Sequence, residues 1–542
     1  MAKRLVSLLT GGATTLFGAV AGVQVSWAQT PVEQTAVPQT ADALAPRKVT
    51  IDRGILKING RPHLVNGITM GPNSCTGSNG ERVPLVADGC PTPGQWDIVR
   101  IKQAGFNTVM SYQNGGMGRG TTWQDHLNNL KRFLDLAHEN GVGVLFSLKN
   151  LYFDKTNDPG LPGNGADPYR GLAEMLQQHS GAAELPAGLD VARQYVRAFK
   201  NHPGLLAWYL QDELSMDYAP ELRAMRDMIR AEDPNHPTMQ LQGFLDTPAH
   251  EIGQFREFSD ILSSDPYPIG LWRGRDFASH PLGPIAQVAG WTQKVARAAA
   301  GDTSDKGAGD KAAWMMLQAF AWNVYHADPN EVAPTVAEEL NMAYQAAING
   351  ASGLLWYHYQ DLKREAAPDL NNDGSPKRAH GPATYWDGKP ILKGGLPTKR
   401  DNVVFTPLAP GTPNSTQPPR SLYAYKSNFA RRMAELTLVA GEINAWHPML
   451  LAGQTETLAP QGEVPAALQM RAISHAGALY VMVVNLSRQA SSSATWQLPA
   501  AFAAADVAKA SPQGTATATL GAGRVTVSVP PLGSGVLKLT VS

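Results

Sequence analysis

The stretch His202-Pro-Gly-Leu-Leu-Ala-Trp-Tyr-Leu-Gln-Asp-Glu213-Leu-Ser215 decides how the rest of the chain is read. Six residues, Leu205 to Leu210, are apolar or aromatic, with a Pro203-Gly204 turn before them and three polar residues after. A run this short and this uniformly apolar predicts a strand buried on both faces, as in a parallel sheet. It ends in two carboxylates, Asp212 and Glu213. In barrels of alternating strands and helices, the C-terminal strand ends converge on one mouth, where chemistry sits. The plainer alternative is an acidic turn before a helix, with Ser215 and Asp217 as caps.

Outward from this stretch the chain alternates steadily. A hairpin over Val49–Pro62 precedes a first strand over His63–Ile68. Strands are then predicted over Phe106–Tyr112, Val142–Leu148, Leu205–Leu210, Thr238–Leu241, Ile261–Asp265, Trp314–Gln318 and Gly353–Tyr359. Helical spacing recurs between them, as in Leu127, Leu130, Leu134 and Ala137 ahead of a Gly141 stop, or in Leu222, Met225, Met228 and Ile229. Eight such units predict an α/β fold, a closed (β/α)8 TIM barrel. No G-x-G-x-x-G or G-x-x-x-x-G-K-[ST] follows any strand, which disfavours an open nucleotide-binding sheet. A final helix is expected over Leu422–Leu438. Short alternating runs such as Leu479–Asn485 and Val525–Val529 then predict a small C-terminal antiparallel β-sandwich. The expected organisation is a signal peptide over 1–28, a linker over 29–48, the barrel with its hairpin over 49–440, and the sandwich over 441–542.

Charge and address narrow the function. The chain has 542 residues, with 46 basic side chains against 46 acidic ones, so it lacks the basic footprint of a nucleic-acid binder. Lys3 and Arg4 precede an apolar run from Leu5 to Val25, and Ser26-Trp27-Ala28 offers small residues at the positions a signal peptidase reads. Cleavage after Ala28 and a secreted or periplasmic protein are therefore expected, with no membrane association of the mature form. Cys75 and Cys90 are the chain's two cysteines, and in a secreted protein they are expected to form a disulfide. Asp369-Leu-Asn-Asn-Asp-Gly374 matches the first half of a calcium loop, but its twelfth position is His380 rather than Glu. Neither a metal nor a cofactor is expected.

The thirteen histidines form no H-E-x-x-H, and no G-x-S-x-G elbow occurs, so metalloprotease and serine-hydrolase chemistry are disfavoured. What the predicted mouth holds is carboxylates: Glu213 after strand four, Asp265 after strand six, Asp361 after strand eight. Around them stand Tyr112, Trp208, Tyr267, Trp322, Trp356 and Tyr357, with the amides Gln113, Asn114, Gln211 and Gln318. Paired carboxylates with aromatic platforms suit cleavage of a glycosidic bond, one acid protonating the leaving oxygen while another attacks or activates water.

Several stretches carry a family resemblance: Arg100-Ile-Lys-Gln-Ala-Gly-Phe-Asn107, the His202–Tyr209 run, Asp212-Glu213 and Asp265-Pro-Tyr-Pro268. From His63 to Asp361 the chain resembles the clan A glycoside hydrolases, and Leu438-Val-Ala-Gly-Glu-Ile-Asn444 with the terminal sandwich resembles their accessory domain. The resemblance implies a carbohydrate substrate, Glu213 as acid/base, and Asp212 at the sugar-contacting position that the clan usually fills with Asn. It also exposes a departure, because the clan's strand-seven nucleophile is a Glu and strand seven here ends in Gln318. Either Asp265 or Asp361 activates water in an inverting reaction, or the nucleophile lies elsewhere, or the barrel binds sugar without cleaving it. Glu213, Asp265 and Asp361 are the catalytic candidates. Asp212, Tyr112, Asn114, Gln318, Trp322, Tyr267, Trp356 and Tyr357 are the substrate-binding ones. Burial against Trp208 or Trp356, together with the Asp212 charge, is expected to hold the proton on Glu213. Lys149, after strand three, is read as a surface lysine rather than a partner for a uronate.

Overall fold

The computed structural model describes residues 47–72, 97–112, 114, 121–149, 151, 168–243, 245, 247–269, 282–301, 311–321, 333–366 and 428–541. Eight strands form a closed barrel: β1 (Val65–Met70), β2 (Thr108–Ser111), β3 (Gly143–Ser147), β4 (Leu205–Asp212), β5 (Thr238–Gln242), β6 (Ile261–Ser264), β7 (Ala312–Gln318) and β8 (Gly353–Tyr357). They pair in parallel in chain order, and β8 closes on β1. The predicted TIM barrel is what the chain forms.

Helices lie in most of the crossovers, and two of them begin at a reciprocal side-chain cap. The helix α1 is Trp123–Glu139, capped by a reciprocal Thr122–Asp125 box; α2 is Val336–Ile348, capped by the same arrangement of Thr335 and Glu338. The inward faces of the strands alternate with outward ones as the pleat requires. Met110, Tyr209, Trp314, Met316 and Leu355 pack in the barrel interior, and Val49 and Leu56 of the N-terminal hairpin join that cluster. Val109, Trp208, Met315, Leu317 and Trp356 belong instead to the layer between barrel and helices.

After β8 comes the helix α3 (Tyr359–Ala366), and later the long helix α4 (Asn428–Ala452). The final helix therefore runs well past the expected end at Leu438. It buries Phe429, Leu436, Val439, Ala440, Ile443 and Trp446 against the barrel layer. Asn66 in β1 donates to Ala440 O at 3.1 Å, and Asn444 donates to Gly105 O at 2.8 Å. Tertiary burial extends the helix over Gly441 and through Pro448, so the boundary expected at 440/441 falls inside it. Beyond it, a five-stranded and a three-stranded antiparallel sheet form the sandwich. Leu479, Val481 and Val483 face Trp496, Val525, Val527 and Val529 across its core. Met482 and Val484, on the opposite face of their strand, join the helix layer of the barrel. Cys75, Cys90, Gln113, Trp322 and Asp369–Gly374 lie outside the described residues.

Candidate active site

Asp212 closes β4, and Glu213 follows in a backbone conformation that L-residues rarely adopt, with φ of 56°. Such a geometry costs about 1–3 kcal/mol and persists only when its surroundings dictate it. Here they do. Glu213 N donates to Leu241 O at 3.1 Å, and Leu214 N donates to Gln211 Oε1 at 2.7 Å. Gln242 Nε2 donates to Leu214 O at 2.8 Å, and His250 hydrogen-bonds the Glu213 backbone. Gln211 also donates to Gln240 Oε1 at 2.7 Å and Leu241 O at 2.8 Å, so its amide is a clasp between β4 and β5 rather than a ligand for sugar. Ser215 caps a short 3-10 turn over Met216–Tyr218, so the plainer capping role coexists with the acidic pair.

The two carboxylates of the pair have opposite surroundings. Asp212 receives hydrogen bonds from Tyr112 OH at 2.5 Å, Tyr209 OH at 2.7 Å and Lys149 Nζ at 2.9 Å. Burial works to raise its pKa, but the Lys149 charge and these donors outweigh it and hold the group below the usual Asp range. Lys149 is no surface lysine. Its side chain is 7% exposed, and its ammonium lies 3.3 Å from the centre of the Tyr112 ring. Burial pulls the Lys149 pKa down, against the opposing pull of Asp212 and Glu213.

Glu213 meets Asp265 instead. The two side chains are in hydrogen-bond contact, and Tyr267 hydrogen-bonds Asp265 as well. Burial, then the charges of Glu213 and Asp212, push Asp265 well above the ordinary carboxylate range. Gly243 makes the meeting possible. A Cβ there would stand 2.0 Å from Glu213 Oε1 and 3.3 Å from Asp265 Oδ1. A contacting pair does not leave the gap of about 6.5–9.5 Å that an inverting reaction needs for its water, so Asp265 cannot fill that role opposite Glu213 in this arrangement.

The remaining candidates divide. Tyr112, Tyr267 and Tyr357 form one aromatic cluster, with ring centres 5.1 Å apart for Tyr112–Tyr357 and 5.6 Å for Tyr267–Tyr357. Asn114, which follows β2, donates to Ser147 O at 2.7 Å. Trp356 is fully buried in the helix layer, as is Trp208, whose Nε1 donates to Asp233 at 2.8 Å. Neither indole therefore packs on Glu213, and the partner of Glu213 is Asp265. Asp361 is 1% exposed on the first turn of α3, with an oxygen 3.6 Å from His358 Nδ1. Gln318 is fully buried, with both ends of its amide bound to backbone. Tyr209, Gly243 and His250 escaped the sequence reading. Tyr209 sits within the quoted strand beside Trp208, and only the parity of the pleat separates inward from outward.

Curated proteins share part of this chain at low identity. A β-galactosidase of Leuconostoc mesenteroides is 25% identical over 207 residues, 38% of this chain and 16% of that protein. A β-galactosidase of Aeromonas hydrophila is 26% identical over 208 residues, again 38% and 16%. The sequence relatives are β-galactosidases. This chain spans about a sixth of their length. Among solved structures, a family 5 glycoside hydrolase from Bacteroides vulgatus superposes with a TM-score of 0.49 at 13% identity, covering 91% of this chain and 93% of that one. An α-amylase from Anoxybacillus gives 0.45 at 10% identity, covering 89% and 98%. No family model matches the chain.

The carboxylates should imprint opposite slopes on stability. Asp265 binds its proton more tightly folded than unfolded, so its contribution is complete below the free Asp pKa and is lost as pH rises through the raised one. Asp212 contributes above the free value and loses that contribution on acidification. Denaturation midpoints of Asp265→Asn and the wild type should therefore diverge in the variant's favour as pH rises. Parallel curves would show that Asp265 is not held protonated.

Proposed function

We propose that the chain is a glycoside hydrolase in which Glu213 and Asp265 act as one proton-transfer pair. The observation that carries this reading is their contact over Gly243 at the C-terminal mouth of the barrel, beside the half-buried cluster of Tyr112, Tyr267 and Tyr357. Two ionised carboxylates about 4 Å apart repel by about 4 kcal/mol at an effective dielectric of about 20, so the pair retains a proton between them. Glu213 passes that proton to the glycosidic oxygen as the C–O bond breaks, and Asp265 shares its return when water adds to the anomeric carbon. Asp212, kept ionised by Lys149, contributes negative potential where positive charge develops on the sugar. The names of the sequence relatives make β-galactosides the first substrates to try.

A second reading is a barrel that binds carbohydrate without cleaving it. It is favoured by Gln318, whose amide cannot ionise and is held by backbone partners. We also propose that the protein is exported with its leader removed and Cys75 joined to Cys90, on the strength of the Lys3–Ala28 pattern and the cysteine spacing.

On a panel of aryl glycosides and oligosaccharides, Glu213→Gln should bind as the wild type does while turnover falls by about 10² or more. Retained binding with no hydrolysis by the wild type on any substrate would favour the second reading. Gly243→Ala should fold with a near-native melting point, because the flexible end of Glu213 can swing aside, yet lose about 10² in turnover as the pair separates. A Gly243→Ala enzyme with native turnover would remove the pair from the mechanism. For export, mass spectrometry of the purified protein should give an N-terminus at Gln29 and no free thiols; an intact leader or titratable cysteines would refute it.

A further inference from the structure

The residue at the end of β7 stands where the resemblance puts an attacking carboxylate, but its hydrogen bonds commit it to another task. Strand β6 pairs with β7 only from Ile261–Ala312 to Ser264–Met315. Beyond Ser264 the chain reads Asp265-Pro266-Tyr267-Pro268-Ile269, and its two prolines have no N–H to carry the ladder onward. The Gln318 side chain replaces the missing ladder. Its Oε1 accepts from Ile269 N at 2.8 Å, and its Nε2 donates to Ile269 O at 2.8 Å and to Phe320 O at 3.1 Å. One carboxamide thus serves both backbone groups of Ile269, as a neighbouring peptide unit would.

We propose that Gln318 is a positioning residue that splints segment 265–269 onto β7 and thereby sets where Asp265 and Tyr267 meet Glu213. The catalytic consequence rests on the proton-transfer reading above; the structural consequence does not. Phe320, which accepts the third hydrogen bond, packs edge-on against Tyr267 with centres 5.1 Å apart, so the same amide steadies both ends of that contact. Glutamine is the side chain that fits. An ionised Glu would turn two acceptors, Ile269 O and Phe320 O, toward a carboxylate, and Met would keep the size but none of the three bonds. The position is therefore a brace, and restoring an acid there would break it.

The test uses the whole chain as Gln318→Met and Gln318→Glu, each with and without Asp265→Asn. Denaturation midpoints are followed against pH, and kcat and KM are measured on any substrate the panel yields. The groups that face Asp265 are Glu213, Asp212 and Tyr267, with Tyr209 close enough to feel its charge, and all stay unchanged in these variants. Loosening the segment admits water to Asp265, so the Asp265-dependent loss of stability should move to lower pH in Gln318→Met. Its kcat should fall by about tenfold or more with KM little altered, as expected for misplacement rather than lost binding. Gln318→Glu should gain no activity near neutral pH. A uniform drop in midpoint with the Asp265-dependent profile unmoved would overturn the proposal, as would turnover above wild type in Gln318→Glu. If the wild type cleaves nothing, the hydrolase reading fails, and the stability profile still decides the role of Gln318. Should Gln318→Met not fold, Gln318→Asn, one methylene too short to span both groups of Ile269, is read in the same way.

Discussion

Among the described residues, Asp212, Glu213, Asp265 and Lys149 share the mouth of this barrel, and three carboxylates so close together repel one another. Closure of the sheet brings the ends of β4, β5 and β6 together, so Asp212, Glu213 and Asp265 meet in a region with little water. The protein resolves the repulsion by dividing the labour. Asp212 takes the cation and two tyrosine hydroxyls and stays ionised. Asp265 meets Glu213 instead, and burial with the charges of Glu213 and Asp212 raises its pKa well above the ordinary carboxylate range. Much of the rim can be understood as scaffolding for that division.

The scaffolding is made largely of amides and backbone rather than further charge. Gln211, Gln240 and Gln242 pin the turn that holds Glu213 in its rare conformation, and Gln318 pins the segment that carries Asp265. An amide both donates and accepts, so it can satisfy neighbouring backbone without adding to the electrostatic cost. Gly243 contributes by what it lacks, because any side chain there would occupy the space of the Glu213 carboxylate.

Behind β7 the same end of the barrel is tied to the C-terminal helix. Arg432 of α4, fully buried, donates to Ala319 O at 3.0 Å and Pro334 O at 2.9 Å, and pairs with Glu339 and Glu435. Burial raises Glu339 to about 7, although Arg432 pulls it the other way. Ala319 N in turn donates to Tyr357 O at 2.7 Å. Removing one partner from such a buried network costs about 3–5 kcal/mol, so the helix that also carries the sandwich helps hold the rim of the mouth.

The barrel was legible because its evidence is local and repeated: apolar runs of strand length, helical stripes between them, and Gly or Pro at the joins. The place of Glu213 was legible for the same reason, since a buried strand that ends in acids marks the mouth wherever it occurs. Which residues face that mouth was not. In the uniformly apolar runs Trp208-Tyr209 and Trp356-Tyr357, either member of each pair could point inward, and only the pairing register of the closed sheet sends the tyrosines in and the tryptophans out. The extent of α4 was hidden too, because burial against the barrel overrides Gly441 and Pro448. The partnership of Glu213 with Asp265, the burial of Lys149 and the need for Gly243 join residues on different strands. Sequence alone determined the alternation and the acids; barrel closure decided which acid meets which, because distance across the mouth is set by strand order and register rather than by separation along the chain.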